Sequence, residues 1–89
     1  MKKKDIKILL VDDEQDILEI VGYNLSQEGY QIVTASNGKE AIAKAKKEHP
    51  HLIIMDVMMP EMDGMEACEN IRKIPELQDT IITFLTARS

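Results

Sequence analysis

Three acidic side chains and one hydroxyl follow short apolar runs of the sequence, and their types suit phosphoryl chemistry. Asp12 and Asp13 follow the first run, Asp56 follows the third, and Thr86 and Ala87 follow the fourth. If the first and third runs form neighbouring strands, three carboxylates converge, and a cation must offset their repulsion. Oxygen ligands favour Mg²⁺, while the hydroxyl and amide beyond the fourth run would hold an anion. The set predicts phosphoryl transfer to a strand-end carboxylate.

Simpler interpretations exist for each residue alone. An Asp-Asp pair before a helix commonly serves as an N-cap and complements the helix dipole. Asp56 after a strand fits a turn residue, and Thr86 by itself predicts nothing. The functional interpretation is favoured because all of these residues fall at the ends of predicted strands.

Four apolar runs predict the strands that position these groups: residues 8–11, 30–35, 52–55 and 81–85. Unbroken apolar runs are typical of a parallel sheet that is covered on both faces. Three helical stripes lie between the runs: Ile17, Leu18, Val21 and Leu25; Ala41, Ile42 and Ala45; Met65, Cys68 and Ile71. Gly29, Pro50 and Pro75 mark the helix ends. The order β-α-β-α-β-α-β predicts an α/β fold with a parallel sheet.

Composition narrows the class of protein. The chain has 89 residues, 44% of them hydrophobic and 30% charged, as in a soluble globular domain. A net charge of −5 argues against a nucleic-acid surface in this segment. The single cysteine, Cys68, suits a reducing compartment, and no stretch is long and apolar enough to span a bilayer. We therefore expect a cytoplasmic protein with no membrane or nucleic-acid contact.

Three motifs resemble the receiver domains of two-component response regulators. They are Ile-Leu-Leu-Val-Asp-Asp-Glu at 8–14, Leu-Ile-Ile-Met-Asp-Val-Met-Met-Pro-Glu-Met-Asp-Gly at 52–64, and Leu-Thr-Ala at 85–87. The likeness runs from about Ile6 to the last residue. It implies a doubly wound, flavodoxin-like α/β fold with strand order 2-1-3-4-5, of which this chain would supply 2-1-3-4.

The resemblance also implies a role for each acidic residue. Asp56 matches the phosphoacceptor of the family. Asp13 matches a direct Mg²⁺ ligand, Asp12 one that acts mainly through a water, and Met58 a ligand through its backbone carbonyl.

The remaining matches concern the phosphoryl group and the loop. Thr86 matches the hydroxyl that turns toward the phosphoryl group, and the Ala87 amide would hold a phosphoryl oxygen. Pro60 and Gly64 match the loop and its turn into the third helix, where Gly64 would tolerate a positive φ.

The family pattern continues beyond Ser89 with a helix, a fifth strand and a final helix. We therefore expect residues 1–89 to form one receiver domain that is incomplete at its C-terminus. The lysine that pairs with the phosphoryl group and the aromatic switch residue fall beyond Ser89 in that pattern, and neither Lys73 nor Arg88 matches the lysine. We also expect self-association through the edge of the fourth strand.

The resulting hypothesis is a signalling phosphoacceptor that is phosphorylated by a sensor histidine kinase and switches an output, rather than an enzyme. A receiver-like interaction module that works without phosphorylation remains an alternative. An Asp-nucleophile phosphatase of the haloacid dehalogenase type is a weaker one, because its motif needs an aspartate where this chain has Met58.

Several other residues have structural interpretations. We expect Met55, Met58, Met59, Met62 and Met65 to fill the core and pack in loops rather than bind a soft metal. His49 and His51 are predicted to lie at a helix end away from the acidic site. Cys68 is predicted to be a small core residue.

Overall fold

The computed structural model describes residues 2–59 and 62–85. The strands are β1 Lys7–Val11, β2 Gln31–Ala35, β3 Leu52–Asp56 and β4 Ile81–Leu85, and the helices are α1 Gln15–Gln27, α2 Gly38–Glu48 and α3 Gly64–Arg72, with short 3₁₀ turns at Lys3–Asp5 and Pro75–Leu77. The strands form one parallel sheet in the order β2-β1-β3-β4. The predicted alternation of strands and helices and the predicted strand order are both confirmed.

The strand register brings the carboxyl ends of the strands to one edge. Val11 pairs with Ala35 on one side and with Met55 on the other, and Met55 pairs in turn with Phe84. The residues that follow β1 and β3 therefore emerge side by side, because the two strands run parallel and in register.

The sheet is covered on two faces, as the unbroken apolar runs predicted. Leu9 and Val11 belong to the core cluster that α2 and α3 complete. Ile8 and Leu10 alternate with them and are only 2% and 0% exposed, and Leu10 packs near Gly22 of α1. Alternating residues of β1 thus face opposite layers.

Each helix end has an identifiable cause. At the end of α1, Gly29 has a φ of 106°, its N–H donates to Ser26, and Tyr30 donates to Leu25. This pair of bonds is a Schellman motif and confirms Gly29 as the helix stop. The side chains of Asn37 and Asp63 cap the N-termini of α2 and α3.

The third helical stripe differs from the prediction. Met65 is 52% exposed, whereas Ala67 is fully buried beside Ile71. Helix α3 packs against α2, and Ala67 lies in the core cluster that includes Ala41 and Ala45 of α2. Cys68, predicted to be a small core residue, is only partly buried.

The methionines divide between the two expected roles and the surface. Met55 and Met59 are core residues, and Met62 packs against the same core. Met58 is 69% exposed, so the prediction that it fills space is wrong for its side chain. Within the described ranges, no helix is long and apolar enough to cross a membrane.

Candidate functional site

The carboxylates of Asp12, Asp13 and Asp56 form a cluster at the carboxyl edge of the sheet. Each offers an oxygen within 4.8 Å of the others. Asp12 and Asp56 are 1% and 4% exposed, while Asp13 is open to solvent. The predicted convergence is confirmed, and its cause is the adjacency of β1 and β3.

Main-chain amides orient the two buried carboxylates in the same way. Oδ1 of Asp12 accepts a hydrogen bond from the N–H of Glu14 at 2.9 Å. Oδ1 of Asp56 accepts one from the N–H of Met58 at 3.0 Å. Each aspartate bonds the amide two residues later, which is an Asx turn. The bond of Asp12 reaches only the residue before α1 begins, so the geometry is not that of a helix cap.

The donor set suits a hard divalent cation. All three groups are carboxylates, and burying two of them beside a third costs free energy that a bound cation offsets. A few carboxylates at an edge that is open on one side match Mg²⁺, which keeps several of its waters. The cluster therefore fits the metal expected from the resemblance.

Gly64 contributes to the site for a different reason from the one predicted. It is the first residue of α3, and Gly29 is the one described glycine with positive φ. A Cβ on Gly64 would stand 2.5 Å from the carbonyl oxygen of Asp56 and 3.0 Å from Cα of Val57. Its own N–H donates to Val57 at 3.1 Å. Glycine is needed because the helix begins against the main chain of Asp56 and Val57.

The end of β2 also lies next to the site, which the sequence analysis did not predict. The N–H of Asp12 donates to the carbonyl of Ala35 at 3.1 Å, so the chain leaving β2 lies beside Asp12. One feature of the sequence pointed to this segment. Asn37 caps α2, and the first helical residue is Gly38, although a helix start does not require the conformational freedom of glycine.

Other predicted site residues fall elsewhere. Thr86, Ala87 and Pro60 lie outside the described residues. His49 and His51 precede β3 and lie at the opposite edge of the sheet from Asp56, as predicted.

Comparison with known proteins decides the family. The family profile described as response regulator receiver domain matches residues 8–89. The chain belongs to this family. It is 51% identical over 67 residues to the alkaline phosphatase synthesis transcriptional regulatory protein PhoP of Bacillus subtilis (strain 168), covering 75% of this chain and 28% of that protein. It is 42% identical to the probable transcriptional regulator ycf27 of Pyropia yezoensis, covering 96% of this chain and 35% of that protein.

Solved receiver structures share the fold. The chemotaxis protein CheY4 of Vibrio cholerae superimposes with a TM-score of 0.89 at 39% identity, covering 94% of this chain and 70% of that one. A receiver domain from Methanoculleus marisnigri gives a TM-score of 0.87 at 35% identity, covering 92% and 67%. The receiver chain spans 28–35% of the two regulators it resembles. It is a two-component receiver domain with the flavodoxin-like sheet order.

Proposed function

We propose that Asp56 is the phosphoacceptor of this receiver domain and that Asp12, Asp13 and the backbone carbonyl of Met58 hold Mg²⁺ beside it. The observation that carries the proposal is the set of three carboxylates within 4.8 Å at the ends of β1 and β3. A bound Mg²⁺ would neutralise charge on the phosphoryl oxygens during transfer.

The chain's own residues position the nucleophile. The Met58 amide holds one oxygen of Asp56, and a carboxylate oxygen of Asp13 lies within 4.8 Å of one of Asp56. A carboxylate oxygen of Asp56 attacks phosphorus, an O–P bond forms, and the N–P bond of a phosphohistidine donor breaks, with the departing imidazole keeping the electron pair. Two-component membership supports a sensor histidine kinase as the donor.

Thr86 and Ala87 complete the proposed site. We assign the Thr86 hydroxyl and the Ala87 amide to phosphoryl oxygens because both residues match the family motif and follow Leu85 in the sequence, which pairs with Asp56. In the whole protein, phosphorylation would switch an attached output, and a cytoplasmic location is consistent with that role. The domain would act as a signalling acceptor rather than as an enzyme with external turnover.

Labelling with a small phosphodonor tests the assignment. The wild-type protein should incorporate phosphoryl groups from acetyl phosphate only when Mg²⁺ is present, and Asp56→Asn should abolish incorporation because an amide is a poor nucleophile. Asp63→Asn is a matched control, since Asp63 is exposed in the same loop and its cap to Glu66 needs only an oxygen acceptor. Equal labelling of the wild type and Asp56→Asn would refute the assignment.

A Mg²⁺ titration followed by NMR tests the metal site separately. Amide shifts should move at residues 12–14 and 56–58 and stay unchanged at His49 and His51. Asp13→Asn should weaken the binding, because it removes a charged ligand from a site that has few. Shifts confined to the histidines would place the cation elsewhere.

We also propose self-association through the outer edge of β4. Within the described ranges, β4 pairs with β3 and with no other strand. Ile81 donates its N–H to His51, so alternation directs the N–H and C=O groups of Ile82 and Phe84 to the outer edge. Such an edge is a template for a second strand, and 64% exposure of Ile81 adds an apolar side chain beside it.

A further inference from the structure

The side chain of Met62 packs against Gly38, the first residue of α2, and leaves too little room there for a Cβ. A Cβ built on Gly38, the first residue of α2, would stand 2.9 Å from Cβ, from Cγ and from Sδ of Met62. Gly38 is buried, and Met62 is partly buried and packs against the core cluster. The contact involves Cβ of Met62 as well as the flexible end of its side chain. Because Cβ is bonded directly to the main chain, a larger residue at position 38 would displace the main chain at Met62.

This contact joins the two halves of the acidic site. On one side, residues 57–63 connect Asp56 to α3, and this loop supplies the amide of Met58 that holds the Asp56 carboxylate. On the other side, α2 follows β2, whose Ala35 carbonyl accepts the N–H of Asp12. The Met62–Gly38 contact therefore connects the loop that orients Asp56 to the chain segment bonded to Asp12.

The ends of the loop are already fixed. Gly64 donates to Val57 at 3.1 Å and lies against the Asp56 carbonyl. Met62 lies between Val57 and Gly64 in the chain, just before the cap Asp63. Its side chain places this part of the chain against the first residue of α2.

We infer that Met62 is a positioning residue for the acidic site: by packing on Gly38 it fixes the chain just before α3, and hence the Met58 main chain beside Asp56. The inference rests on the proposed function for its importance to phosphoryl transfer. The structural coupling of position 38 to Asp56 through Met62 does not depend on whether Asp56 is phosphorylated.

A purely space-filling methionine would behave differently. Enlarging Gly38 or truncating Met62 would then change the stability of the fold and leave the cation affinity of the folded protein unchanged. Positioning predicts a change in cation affinity that a second substitution reverses, so the two roles are separable.

The test compares Gly38→Ala, Met62→Ala and the double variant Gly38→Ala/Met62→Gly in the purified protein; glycine at position 62 also removes the Cβ that would stand 2.9 Å from the new methyl group. Gly22→Ala is the matched control, because it also adds a methyl group to a buried helical glycine but meets side-chain atoms at an ordinary 3.7 and 3.9 Å. In the metal-free proteins, the amide signals of Asp56 and Met58 should shift in Gly38→Ala and return toward wild type in the double variant. Gly22→Ala should leave them in place.

Cation affinity gives the second measurement. Gly38→Ala should weaken Mg²⁺ binding by about tenfold, the lower range for residues that support metal ligands, and the double variant should recover most of the loss. Unmoved amides at Asp56 and Met58 together with wild-type affinity in Gly38→Ala would overturn the inference, as would a double variant no better than the single one.

Two further outcomes are distinguishable. If Gly38→Ala does not fold, Met62→Ala decides alone: a folded variant with unchanged affinity and unchanged amides refutes positioning. If wild-type protein binds Mg²⁺ but is never labelled at Asp56, the proposed function fails while the comparison of amide shifts still tests the coupling.

Discussion

The backbone N–H of Lys7 donates to Nδ1 of the His51 imidazole at 3.0 Å, which joins the amino ends of β1 and β3 through a side chain. The main chain of His51 completes the junction, since its N–H donates to Lys7 and its carbonyl accepts from Ile81. One residue thus connects the first residues of three strands at the edge opposite the acidic site.

His51→Ala should lower the free energy of unfolding by about 0.5–1.5 kcal/mol, the usual contribution of one hydrogen bond. His51→Asn should lose less, because its amide oxygen can accept from the same N–H. Urea unfolding of the three proteins measures the difference. An alanine variant as stable as wild type would show that water replaces the imidazole at no cost.

The Lys7 side chain should make stability depend on acid pH. Its Nζ lies 2.8 Å from Oε1 of Glu48, and this hydrogen bond, together with the lysine charge, lowers the pKa of Glu48 below its ordinary value of 4.5. Because the pKa of Glu48 is lower in the folded than in the unfolded protein, the ion pair stabilises the fold at pH values above the pKa of the unfolded state. This stabilisation is lost as the pH falls through the pKa of Glu48 in the folded state.

Lys7→Met should therefore be less stable than wild type at neutral pH, and the gap should close as pH falls below 4.5. Urea midpoints collected between neutral and acid pH measure the gap. Glu48→Gln should show the same convergence, whereas Glu19→Gln on the exposed side of α1 should not. A gap that is constant with pH would exclude the ion pair as its source.

Gly64→Ala should destabilise the fold by about 1–3 kcal/mol, as expected when atoms are forced into filled space. The new methyl group would meet main-chain atoms of Asp56 and Val57, which cannot rotate away. Gly22→Ala should be neutral or stabilising, by up to about 1 kcal/mol, because alanine favours helix. Thermal or urea unfolding of both variants checks the contrast, and equal effects would contradict the space argument.

The β4 edge should make the 89-residue chain associate as its concentration rises. Light scattering after size exclusion should report dimers, and Ile81→Lys should restore the monomer because a charged edge residue opposes strand pairing. Hydrogen exchange should protect the amides of Ile82 and Phe84 only in the associated form. A monodisperse monomer with strong protection across 81–85 at high concentration would refute association.

The order of strands and helices could be predicted from the sequence, because buried parallel strands give unbroken apolar runs and helices give apolar residues spaced three or four positions apart. Asp12 and Asp56 were predictable for the same reason: each comes directly after such a run, and the strand order then brings them together.

Features that depend on contacts between distant segments were not predictable. Gly64 was predicted to matter because it tolerates a positive φ, but its role is to let α3 begin against the Asp56 carbonyl. Met65 was predicted to face the core from its helical spacing. Instead Ala67 is buried in the core cluster with residues of α2, and Met65 is 52% exposed. The contact of Met62 with Gly38 joins residues 24 positions apart, so no local pattern encodes it.

The Asx turns at Asp12 and Asp56 have an evolutionary consequence. Both aspartates are oriented by main-chain N–H groups, those of Glu14 and Met58, which every residue except proline supplies. Mutation at positions 14 and 58 can therefore change two exposed side chains beside the site while the orientation of the buried carboxylates is inherited unchanged. Related receivers can diverge in sequence at these two positions and keep the same carboxylate geometry.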